Sequence, residues 1–169
     1  TYPLPEAQLD RFMFNLRIDY LPEMEEVRVV QNTTAAKIED LTPIITADQV
    51  RNLQELVRMV PVSDAAALYA VRLAAATRPV KENRLDFIKK WVTWGAGIRG
   101  GQQIILAAKA WALLHGRYHV SFDDIQTLAV PALRHRVITN SFAESEGINS
   151  DEIIQRVIKA VQRPVSGIQ

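Results

Sequence analysis

The 169-residue sequence contains no cysteine, so it can form no disulfide, no thiolate metal site and no thiol nucleophile. It also lacks an excess of either charge: twenty basic residues against nineteen acidic ones give +1. Nothing in that balance draws the chain to a duplex or an anionic membrane, and no nucleic-acid partner is expected. Long apolar runs are missing too. The longest, "IILAAKAWALL" from Ile104, is interrupted by Lys109 and falls short of the roughly 20 residues a bilayer core requires, so no membrane span is expected. The histidines, His115, His119 and His135, do not have metal-ligand spacing, and no metal site is expected. Neither G-x-S-x-G nor G-x-x-x-x-G-K-[ST] occurs, and no apolar strand ends in Asp-Glu to hold magnesium. The chain alone is therefore expected neither to bind a cofactor nor to hydrolyse a nucleotide. No leader or targeting segment is visible, which, with the absent cysteines, sets the expectation of a cytoplasmic protein.

What is present is the composition of a folded chain, 48% apolar and 23% charged. In "FMFNLRID", Phe12, Phe14, Leu16 and Ile18 alternate with Met13, Asn15, Arg17 and Asp19, the period of a half-buried strand. A lone strand needs neighbours for its backbone groups, so its sheet is expected in residues outside this chain. Before it, Pro5 can open a short helix reaching about Arg11. After it the pattern turns helical. Pro22 can start one helix, and Thr46 with Gln49 forms a capping box for "ADQVRNLQELVRMV". Ser63 can cap "DAAALYAVRLAAATR", Ser121 with Asp124 "FDDIQTLA", and Ser150 "DEIIQRVIKAVQR". Pro131 is expected to end or restart its helix. The stripe of Ile153, Ile154, Val157, Ile158 and Val161 reads as core, "RPVKENR" as a solvated loop, and the tail from Pro164 as frayed. The fold class expected is mainly α, a helical bundle preceded by a short helix and one strand.

"GAGIRG", Gly95 to Gly100, matches G-x-G-x-x-G, with Asp123 and Asp124 downstream where a ribose-binding acid would lie. The elements that follow are helical and complete no βαβ unit, so the glycines are read as a sharp turn into a closely packed helix. Arg99 stands in the first turn of that helix, where the dipole disfavours a cation, and so calls for a partner, either a carboxylate of the same fold or a phosphate. Arg11, at the junction of short helix and strand, either pairs with Asp10 or is offered to another subunit's phosphate. The basic cluster Arg134, His135, Arg136 is expected to cap a helix end in solvent.

Taken together, "TYPLPEAQLDRF", "GAGIRGGQQIILAAKAWALLHGR" and "VSFDDIQTLAVPALRHRV" resemble, in this order, the C-terminal part of a MoxR-type AAA+ ATPase. The resemblance covers nearly the whole chain. It implies that residues 1–20 are the end of an ATPase core, 21–164 a helical lid and 165–169 a tail. It further implies that Arg11 is the arginine finger of an "LDRF" motif, reaching the γ-phosphate in the adjacent subunit of a ring, by family habit a hexamer. Arg99 falls on the sensor-2 arginine, which reaches the γ-phosphate of its own subunit. Here Gly97 and Ile98 stand where the family has Ser and Pro, and Gly100 where it has Ala, while the arginine is retained. ATP and magnesium are implied for the intact parent, as is chaperone-like assembly or activation of a client protein, often a metalloenzyme complex. The alternative from another class is a stand-alone helical interaction module without nucleotide chemistry.

Overall fold

A computed structural model describes residues 4–35 and 42–164. The architecture is mainly helical. α1 (Glu6–Leu9) and α2 (Glu23–Thr33) lie in an N-terminal arm, and α3 (Ala47–Met59), α4 (Asp64–Ala76) and α5 (Asp86–Trp91) lead to the strand β1 (Val92–Trp94). α6 (Ile98–Leu114) and α7 (Phe122–Leu133) precede β2 (Ile138–Thr139), and α8 (Ser141–Ser145) and α9 (Ser150–Ala160) complete the fold.

The centre is α6, packed between α4 and α7, with α3 against its outer side and α9 closing over α7 and α4. On α4 the buried residues Ala66, Tyr69, Ala70, Leu73 and Ala74 follow a helical period, and α9 contributes Ile153, Ile154 and Val157. Those three side chains and Tyr69, Leu73, Ile104, Ile125 and Leu133 are essentially inaccessible to water. Each such side chain, fully buried, is worth about 1.5–3 kcal/mol. The Tyr69 hydroxyl accepts a hydrogen bond from Gln126 Nε2 at 2.7 Å, and its ring meets Phe122 edge-on at 5.4 Å, so its polar end is satisfied. Among the described residues no single helix is long and apolar enough to cross a membrane.

Local signals set most helix ends. Both reciprocal bonds of the Thr46–Gln49 and Ser121–Asp124 capping boxes form, and Ser63 Oγ accepts from the Ala66 amide. α6 ends where Gly116 takes φ +68°, which lets Arg117 N–H reach Ala112 O at 2.8 Å and Gly116 N–H reach Leu113 O at 2.9 Å. That turn aims Arg117 at Asp124, which it holds through two bonds of 2.7 and 2.6 Å.

Three expectations need correction. Pro131 neither ends nor restarts a helix but lies inside α7, which runs on to Leu133. The cap of α9 is Asn149, whose side-chain oxygen accepts from the Glu152 amide at 3.0 Å, while Ser150 is already helical. α1 stops at Leu9, and residues 10–13 continue as turns. The alternating run over 12–19 has no partner strand among the described residues, as expected of a strand whose sheet lies outside this chain, and Leu16 and Ile18 stand 71% and 95% exposed. The strands that pair among the described residues are β1 and β2, a short antiparallel pair joining Val92 to Thr139 and Trp94 to Ile138. The tail beyond residue 164 lies outside the described residues.

Candidate functional site

The loop that launches α6 is fixed by its contact with the end of α4. A Cβ on Gly95 would stand 2.3 Å from Thr77 O, so only glycine lets the two backbones meet. Thr77 Oγ1 accepts from the Ala96 amide at 2.8 Å, and Arg78 Nε donates to Ala96 O at 2.8 Å. Arg99 therefore projects from an anchored helix start. Its Nη1 lies 3.2 Å from Asp10 Oδ2, and its side chain stays 51% exposed. Of the two partners the sequence allowed, the chain supplies the carboxylate.

Asp10 is shared. Arg136 Nε donates to its other oxygen, Oδ1, at 2.8 Å, and the Arg136 side chain is 1% exposed. Each of the five guanidinium donors of Arg136 has an acceptor. Besides that carboxylate they are the carbonyls of Asp10 at 2.6 Å, Phe12 at 2.8 Å, Met13 at 3.5 Å and, closest of all, Ala132. Burial pulls the Arg136 pKa down from its ordinary value while Asp10 pushes it back up. An arginine so far above neutrality stays charged regardless.

Its neighbours act on the same segment. His135 Nε2 meets Phe12 O at 3.2 Å, which makes Nε2 the protonated nitrogen, and its Nδ1 is buried with no partner. Desolvation first, then the charge of Arg136, keeps the His135 pKa below its ordinary value. Arg134 clasps Asp151 with two bonds of 2.9 and 2.8 Å and reaches Asn15 O at 3.0 Å, and Asn15 N–H returns a bond to Pro131 O at 3.0 Å. The expectation that Arg134, His135 and Arg136 form a solvated helix cap is thus overturned. They are a clasp between the end of α7 and residues 10–15, and local dipole reasoning could not detect a partner more than a hundred residues away. The available signal was Arg136 itself, a cation set between the apolar Leu133 and Val137.

Arg11 sits in the middle of the clasped segment. It is exposed, and among the described residues its guanidinium makes no hydrogen bond or ion pair. Asp10, its neighbour, turns to Arg99 and Arg136 and not to Arg11. Beside them opens a cleft of about 380 Å³ whose wall includes Asp10, Trp94, Gly95, Gly97 and Arg136. Among the described residues no group of His, Asp or Glu side chains could hold a metal ion.

A profile of the AAA lid domain matches residues 88–157. The chain is 34% identical over 164 residues to the chaperone MoxR1 of Mycobacterium tuberculosis, a match covering 97% of this chain and 43% of that protein. The chain carries the lid region of a MoxR-type AAA+ ATPase. YeaC of Bacillus subtilis, a protein without an assigned function, is 39% identical over 166 residues, covering 98% of this chain and 49% of YeaC. A crystallised protein of Cytophaga hutchinsonii, described as a presumed ATPase, superimposes with a TM-score of 0.90 at 31% identity, covering 97% of this chain and 50% of that one. The chain thus spans about half the length of the curated relatives it matches. At that coverage the likeness takes in both the lid helices and most of the arm that the Arg136 clasp holds.

Proposed function

We propose that this lid region belongs to an ATPase that couples ATP hydrolysis to chaperone-like assembly or activation of a client protein, and that Arg11 acts as an arginine finger on the nucleotide of an adjacent subunit. Residues 1–20 would then be the end of the ATPase core, 21–164 the lid and 165–169 a tail. Magnesium and ATP would be held by core residues outside this chain, in a ring of copies. The observation that carries this reading is Arg11 itself, an exposed cation without a partner among the described residues, on a segment fixed on both sides. A planar guanidinium held this way is suited to the charge that develops on a transferring phosphoryl group.

Arg99 would serve as sensor 2. Its half-exposed pair with Asp10 is of the kind worth about 0–1 kcal/mol, weak enough for a γ-phosphate to displace. A γ-phosphate reaching Arg99 would then release it from Asp10 and draw the lid toward the core.

The test is mixed assembly of the full-length protein. Arg11→Ala should leave folding and ATP binding intact and lower turnover by roughly 10³- to 10⁵-fold. Mixed with subunits disabled only in their phosphate loop, it should regain partial activity, because an intact nucleotide site then faces an intact Arg11. Mixed rings that assemble and stay inactive at every ratio would show that Arg11 does not act in trans.

A further inference from the structure

We infer that Arg136 is the positioning residue for Arg11, so that a lid residue holds the base of the finger. The inference rests on the arginine-finger reading above.

A finger is useful only if its base is held still, because misplacement by about 1 Å can cost on the order of 10²-fold in rate. Arg11 lies at the edge of a four-residue helix that buries none of its residues, so α1 cannot supply that rigidity. The hydrogen bonds can. Arg136 Nη2 donates to the carbonyls of Asp10 and Phe12, the residues immediately before and after Arg11, and its Nε holds the Asp10 carboxylate. The chain is thus gripped on either side of the residue that must reach out, while Arg11 itself stays unencumbered. With every donor occupied and its side chain 1% exposed, Arg136 has nothing left to offer a phosphate. Its role is in the backbone it holds.

Arg136 belongs to the lid. It follows α7 directly and donates to Ala132 O within that helix, and its alkyl chain passes close to Gly100 in the first turn of α6, where an added Cβ would stand 3.6 Å from Arg136 Cδ. Arg99, one residue away on that turn, contacts the same Asp10 carboxylate. Asp10 therefore joins the proposed sensor of a subunit's own nucleotide to the segment bearing the finger for the next subunit. A change at Arg99 need travel only through one carboxylate and one guanidinium to reach the base of Arg11.

The experiment uses the assembled full-length ATPase. Arg136→Lys keeps the charge but replaces the fork that spans Asp10 and Phe12 with a compact ammonium. Turnover should fall by about 10²-fold with KM for ATP unchanged. Hydrogen exchange should rise across residues 10–15 and stay unchanged in α6. Subunits lacking only the phosphate loop should restore activity in mixed rings, as for a finger defect. Asp10→Ala, at a partly exposed position, should show a smaller loss of the same kind and the same rescue, and it decides the matter if Arg136→Lys does not fold. Arg11→Ala, assayed in parallel, separates the two ideas. Normal turnover by Arg11→Ala removes the finger reading and this inference with it. An inactive Arg11→Ala beside folded Arg136 and Asp10 variants that turn over at the unsubstituted rate leaves the finger standing and overturns the positioning role. So does a loss that mixing fails to rescue, since that places the defect in the subunit's own site.

Discussion

The helical body from α4 to α9 and the arm that precedes it are held by different forces. In the body, side chains such as Leu73, Ile104, Ile125 and Ile153 are removed from water altogether, whereas α1, α2 and α3 bury no residue at all. Along the arm, Met24, Val30 and Ile18 remain more than half exposed, and residues 10–15 are fixed by hydrogen bonds to Arg134, His135, Arg136 and Pro131. Apolar burial is strong but indifferent to direction; a charged fork bonded to carbonyls is directional. The molecule thus takes its stability from one region and the placement of its candidate finger from contacts between the two.

That contrast can be broken or sharpened in stability measurements. The largest effect belongs to the body: Leu73→Ala, at a side chain with no exposure, should cost about 2–5 kcal/mol. Val30→Ala, at a residue 59% exposed in α2, should stay within about 0.5 kcal/mol. Urea unfolding of the two variants checks both, and similar costs would mean that α2 is as much a part of the cooperative unit as α4.

Next comes the Asp124–Arg117 pair. Burial alone would raise the Asp124 pKa, but the Arg117 bonds and those from Ser121 outweigh it and bring the value to about 2 from 3.8. A carboxyl depressed on folding contributes above its unfolded pKa and loses that contribution as pH falls from about 3.8 through about 2. At a side chain 4% exposed this amounts to about 2 kcal/mol. Acid titration followed by circular dichroism should show the loss in that window, and Arg117→Ala should flatten it. The smallest effect is expected where arm meets body at the surface: Arg99→Ala should change stability by only about 0–1 kcal/mol, although in the full-length protein it should make lid closure insensitive to ATP. Thermal unfolding checks the first part, and fluorescence transfer between core and lid the second.

The features legible in the sequence were those written within a few residues. Thr46–Gln49 and Ser121–Asp124 could be read as capping boxes because both partners of each lie in one turn, and the α9 stripe because burial of one helix face imposes its period. Asn149 and Ser150 are both good caps in adjacent positions, and composition alone does not rank them. β1 and β2, three and two residues long, are too short to carry a period. At the candidate site, Arg11 and Arg99 were singled out by resemblance and by the oddity of their positions. The pairing of Asp10 with Arg136 was not legible, although both residues were noted, because a bond between residues 10 and 136 joins positions far apart in the sequence.

The three tryptophans have an optical consequence. Trp91 is 7% exposed, its indole N–H donates to Glu146 Oε2 at 2.9 Å, and the Arg156 guanidinium lies 4.6 Å from its ring. Trp111 is only partly exposed and lies 4.4 Å from the His115 ring. Trp94, by contrast, is 67% exposed and stands on the wall of the cleft beside Asp10. Its emission should lie toward the red of the other two and respond to whatever enters that cleft. Subtracting the spectrum of a Trp94→Phe protein from that of the unsubstituted one would isolate this single indole, so that the cleft reports its own occupancy without an attached dye.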